Sequence, residues 1–100
     1  MTTVVNLKNE PYDVYIGRGR GGKWGNPFPI SAHCSREQSI SRFRDWLDWM
    51  IETDGYSLEE LASLHGKRLG CFCKPLDCHG DILAAYADVA YEQITRKDNS

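Results

Sequence analysis

Three of the chain's four cysteines and one of its three histidines fall within a single stretch, Lys67 to Asp81, reading KRLGCFCKPLDCHGD. Thiols, an imidazole and a carboxylate at this density offer two kinds of chemistry. Cys71, Cys73, Cys78 and His79 are a donor set of the type that holds zinc. Alternatively, Cys78 acts as a nucleophile or anion-facing thiol, with His79 orienting substrate or moving a proton and Asp81 close by. A third reading leaves Cys71 and Cys73 as small buried residues and Asp77 as a helix cap. The spacing C-x-C-x-x-x-x-C-H is not that of a zinc knuckle or ribbon, and neighbours such as Cys78 and His79 seldom ligate one ion. The residues alone leave the three readings open.

These groups need elements to hold them. Arg68 to Cys73 has the length of a buried strand, and from Cys78 onward Ile82, Leu83, Tyr86, Val89, Ala90 and Ile94 recur at helical spacing. The motif is therefore a strand-to-helix turn, with Cys78 at the helix N-terminus. There the helix dipole and nearby cations are expected to lower its pKa. A second stretch, Gly17 to Pro29, combines five glycines, two prolines, three cations and a tryptophan, and excludes regular structure. Arg18, Gly19, Arg20 and Lys23 suit a phosphate or another anion, through close backbone approach and guanidinium forks. Trp24 could stack on a nucleobase and Asn26 bond its edge. The plainer alternative folds Trp24 and Phe28 back into the core, with Asn26-Pro27 as a turn. Neither a Walker loop nor a dinucleotide fingerprint is present.

The remaining elements follow in order. Thr2 to Leu7 and Tyr12 to Ile16 are β-rich runs separated by a turn at Pro11. Ser35 and Gln38 form a capping box for a helix over 36–51, in which Ile40, Phe43, Leu47, Met50 and Ile51 recur and Trp46 and Trp49 widen the apolar face. That face reads either as one core and one partly exposed tryptophan or as a homodimer interface. Gly55 is expected to end this helix. Ser57 and Glu60 form a second capping box for a short helix ended by Gly66, and Thr95 to Ser100 is expected to fray. The order β-β-α-α-β-α predicts a single α/β domain over residues 1–100, with about three strands, at least partly parallel, and three helices. A helical crossover makes the second and third strands parallel, while the first two could pair as a hairpin or lie apart. Parallel strands bring the Gly-rich loop (17–28) and the Cys-His turn (71–81) to one edge, with His33, Cys34 and the first helix's N-terminus nearby.

Composition bounds the rest. A chain of 100 residues with net charge −2 suits one small core and argues against a protein that coats nucleic acid. No apolar h-region follows Met1 and no run approaches the roughly 20 residues of a membrane span, so no membrane partner is expected and the thiols are expected reduced, in the cytoplasm.

The segment Leu69 to Leu83, with Tyr15-Ile16-Gly17-Arg18-Gly19 and Trp24-Gly25-Asn26-Pro27-Phe28, resembles the domain of unknown function 4326 family of phages and bacteria. The resemblance spans Val4 to Ala87. The strand-Cys-Pro-Cys-His-helix turn is also similar, more loosely, to the domain of unknown function 488 family, except that Gly80 stands where that family has an arginine. The resemblance implies an intracellular α/β protein near nucleotide or nucleic-acid metabolism, in the host cytoplasm if phage-encoded. The expected function is binding of a nucleotide, nucleoside, nucleic-acid fragment or related anion between the two loops, with group transfer or hydrolysis if it is an enzyme. The alternative is a non-enzymatic, zinc-stapled interaction protein.

Overall fold

In a computed structural model of the chain, which describes residues 2–17 and 23–98, three strands and three helices form one α/β layer pair. Arg18, Gly19 and Arg20 lie outside the described residues. Strands β1 (Thr3–Asn6) and β2 (Val14–Tyr15) flank β3 (Arg68–Cys71), and both run parallel to it. In register, Val4 and Val14 both lie beside Leu69. The first two strands therefore do not form a hairpin. Their connection passes over the sheet face at Gly70, where a Cβ would lie 2.7 Å from the Tyr12 ring. Only a residue without a side chain lets the chain cross there.

The other sheet face is covered by α1 (Arg36–Glu52), the short α2 (Leu58–Ala62) and α3 (His79–Asp98). Leu69 and Cys71, two residues apart on β3, share the core with Phe43 and Leu47 of α1, Leu61 of α2, and Leu83, Ala87 and Ala90 of α3. The Ser35–Gln38 capping box is present at α1, with both reciprocal bonds made. At α2 only half forms: Ser57 accepts from the Glu60 amide, while the Glu60 carboxylate turns to Lys23 at 3.0 Å.

Several local expectations need correction. The left-handed residue after α1 is Asp54, at φ 62, rather than Gly55; aspartate tolerates this region better than most side chains. Strand β3 ends at Cys71, which leaves Cys73 in the following loop. Helix α3 does not fray at Thr95 but runs to Asp98, supported by an Arg96–Glu92 ion pair one turn apart. Among the described residues no helix is long and apolar enough to cross a membrane.

One polar cluster ties the sheet to the helices. Asp88 of α3 accepts from the Thr2 hydroxyl at 2.6 Å and lies 2.8 Å from His65 Nδ1, and the Gly66 amide donates to the Thr2 hydroxyl at 3.1 Å. Burial alone would raise the Asp88 pKa, but the bonds from Thr2 and His65 outweigh it and hold the carboxyl below its ordinary value. A depressed carboxyl stabilises the fold fully above its unfolded value and loses that contribution as pH falls through the folded one. Asp88→Ala should therefore cost roughly 1 to 3 kcal/mol near neutral pH. The gap from wild type, read by urea denaturation, should narrow as pH drops below the ordinary carboxyl value of 3.8.

Candidate functional site

Because all three strands point the same way, their carboxyl ends open on one edge, where β3 hands the chain to α3 through residues 72–78. A cleft of about 460 Å³ lies there. Cys71 and Cys78, each 2 % exposed, and His79, 8 % exposed, form its depth together with half-buried Cys73. Tyr15, Phe72 and Ile30 stand toward its mouth, and Arg36, Ser39 and Ile40 bring in the first turn of α1. Arg36 Nη1 donates to the Asp77 carbonyl at 2.9 Å and so fastens the 72–78 loop to α1.

Cys78 sits immediately before α3. Its sulfur accepts from the Gly80 amide at 3.2 Å, while its own N–H donates to the Asp81 carboxylate at 3.1 Å. Cys78 and Asp81 thus cap the helix, and Asp77 does not. The Cys78 sulfur also lies 3.2 Å from that of Cys71. Donation from Cys78, helped by the Cys73 and Lys74 amides, draws the Cys71 thiol down to about 6 against the effect of burial. The same bond, together with burial, pushes Cys78 up. The two thiols are thus coupled through a shared proton: the pair loses its first proton readily and holds its second, rather than Cys78 alone being acidic.

His79 is held by two carbonyls, with Nε2 at 2.8 Å from Ile16 O and 3.1 Å from Trp24 O. Carbonyls only accept, so Nε2 carries the proton. Nδ1 then faces the Cys78 sulfur at 3.6 Å. Asp81 instead salt-bridges Lys74 at 2.6 Å and lines a second cavity beside α1, which shares Ile40, Asp77 and Cys78 with the main cleft. The three sulfurs of Cys71, Cys73 and Cys78 all lie within 4.8 Å of one another, a grouping that does not include His79. The four described cysteines are all free thiols.

The Gly-rich stretch divides. Gly17 and Asn26 line the cleft. The Asn26 carboxamide is engaged within the protein: its NH₂ donates to Ser39 Oγ at 2.9 Å and its oxygen accepts from the Phe28 amide at 2.9 Å. Trp24 and Lys23 do not reach the cleft. Trp24 is 7 % exposed with its ring 4.7 Å from that of Tyr56, and Lys23 lies over both rings. Burial against Tyr56 leaves Trp24 no face for a ligand, which corrects the stacking role expected of it; the ion pair with Glu60 does the same for Lys23. His33 is exposed and Cys34 buried, and neither lines the cleft. Sequence reasoning missed Tyr15, Phe72 and Arg36. Phe72, an exposed aromatic between two cysteines, was the available signal for that rim.

The family described as Domain of unknown function (DUF4326) matches residues 3–89 of the chain. The chain belongs to this family. It is similar to an uncharacterized 12.4 kDa protein in the nrdA-td intergenic region of Enterobacteria phage T4, with 42 % identity over 81 residues covering 81 % of this chain and 72 % of the relative. No solved structure matches. In this DUF4326 chain the position after His79 has no room for a long side chain: a Cβ on Gly80 would fall 2.6 Å from Ile16 Cδ1 and 3.0 Å from Val4 Cγ1.

Ser39 joins the two halves of the cleft wall, because its hydroxyl donates to the Phe28 carbonyl while accepting from Asn26. Ser39→Ala removes both bonds in a buried setting. It should destabilise the fold by about 1 to 3 kcal/mol, measured by urea denaturation.

Proposed function

We propose that this protein binds a nucleoside- or nucleotide-class ligand in the cleft and carries out group transfer or hydrolysis on it, above the thiols at the cleft's depth. The observation that carries this reading is the convergence of Cys71, Cys73, Cys78 and His79 beneath an aromatic rim at the carboxyl ends of parallel strands. Open α/β sheets bind ligands at this edge, and small-molecule sites span about 300 to 1,000 Å³. The Phe72 ring is 55 % exposed, with Tyr15 edge-on at 6.5 Å, and offers a planar base a stacking surface. Arg36 supplies one cation. Gly17, which lines the cleft, leads into Arg18, Gly19 and Arg20, where the two guanidinium groups and the glycine backbone N–H suit the anionic part of such a ligand. On this reading the working environment is the reducing interior of a cell, where the thiols stay available.

Isothermal titration of nucleosides, nucleotides, ribose 5-phosphate and inorganic phosphate tests the proposal. Base-bearing compounds should bind saturably and the base-free ones weakly or not at all. Phe72→Ala should weaken binding about 5- to 150-fold, the equivalent of a base–aromatic stack of about 1 to 3 kcal/mol. If no base-bearing compound binds, or if Phe72→Ala binds as wild type does, the ligand class is wrong. A substrate once found should not be turned over at an unchanged rate by Cys78→Ser.

A second reading rests on Trp49, which is 56 % exposed on α1 while Trp46 packs edge-on against Tyr56. An exposed indole of this kind suits self-association through the outer face of α1. Sedimentation should then show a dimer that Trp49→Ala converts to monomer, and a wild-type monomer at high concentration removes this reading.

A further inference from the structure

We propose that Cys71, Cys73 and Cys78 together hold a single thiophilic metal ion, of the zinc class, with its fourth coordination position open to the cleft. The inference rests on the reading of that cleft as the working site, and it names the cofactor the thiols would carry there.

Distance comes first. A tetrahedral ion with metal–sulfur bonds of about 2.3 Å sets its sulfurs about 3.8 Å apart. The three sulfurs here lie within 4.8 Å of one another and the closest pair is 3.2 Å apart, so small side-chain rotations bring all three to one centre. The two sulfurs at 3.2 Å also stand well beyond the roughly 2.05 Å of a disulfide. Chemistry comes second: an all-thiolate set selects soft or borderline ions over magnesium or calcium. The surroundings suit the anionic centre that three thiolates and a divalent ion make. The Gly80 amide at the start of α3 points at Cys78, and Lys74 stands beside the cluster on its bridge to Asp81.

The fourth position decides what such an ion would do. The nearest further donor is His79, whose Nδ1 lies 3.6 Å from the Cys78 sulfur but which stands outside the grouping that all three sulfurs form. All three sulfurs line the cleft. Three protein ligands with an open position make a reactive zinc site, whereas a structural site closes with four. The open position would take a lone pair from a water or from the ligand itself, such as a ring nitrogen, a carbonyl oxygen or a sulfur. A metal staple that only holds the fold would need His79 as a fourth ligand, and the three-sulfur grouping does not include it.

Metal analysis and native mass spectrometry of protein purified under reducing conditions without chelator should find one zinc per chain. Cobalt loading of the stripped protein should give a thiolate charge-transfer band and the intense visible absorption of a four-coordinate site. That visible spectrum should shift when a small thiol or imidazole is added. Cys73→Ser, altered in the half-buried loop, should keep the fold by circular dichroism and lose affinity by more than about 100-fold, beyond what outer-shell changes cost. Three results would each overturn the site: no stoichiometric metal, a Cys71–Cys78 disulfide in the reduced preparation, or metal affinity unchanged in Cys73→Ser. A cobalt spectrum indifferent to added ligands would overturn the open position. These readouts use no nucleotide, so a failed nucleotide titration on metal-loaded protein would remove the ligand class and leave the metal site standing.

Discussion

The first turn of α3 lies so close to the sheet that a Cβ at Gly80 would press on Ile16 and Val4. Everything in the site follows from this approach. It sets Cys78 against Cys71 at the end of β3 and brings the His79 ring up to the backbone of β2's last turn. It also points the Gly80 amide at the Cys78 sulfur. A larger residue at Gly80 would move the helix start outward, separating the thiols before it disturbed the core farther along α3.

The deep part of the site is polar in a way a small core tolerates only with compensation. Two buried sulfurs and a buried imidazole sit among Phe43, Leu69 and Leu83, and each is met by a donor or acceptor on the protein side. A hydrogen-bonded thiol pair in such a setting is easily ionised once and hard to ionise twice, because the second negative charge would lie beside the first in a poorly solvated space. A cation placed among the sulfurs would lift that restriction, so on the proposed metal reading ion binding would be linked to the charge state of this cluster.

What could be read from the sequence was mostly local. The capping box at Ser35 and Gln38 involves groups three residues apart, and the helical crossover between β2 and β3 allows only parallel pairing in one sheet. Periodicity likewise placed Leu83 and Ala90 on the inner face of α3. What could not be read depends on distant contacts. Nothing near Trp24 in sequence announces Tyr56, so its burial stood only as one of two alternatives, and the pairing of Lys23 with Glu60 was invisible. The same holds for the thiols: nothing in the spacing of Cys71 and Cys78 announces that their sulfurs approach to 3.2 Å and titrate as a pair. Phe72 was overlooked because attention to the flanking cysteines hid the fact that alternation turns it outward.

His79 divides two tasks across one ring. The proton on Nε2 spans the carbonyls of Ile16, just before the glycine-rich loop, and Trp24, within it, and so ties both to the start of α3. The opposite nitrogen faces Cys78. A proton gained or given up on that side leaves the Nε2 bond to the loop intact. The imidazole therefore holds Ile16 and Trp24 through one nitrogen while it presents the other to the sulfur, so the two contacts belong to separate atoms of one ring.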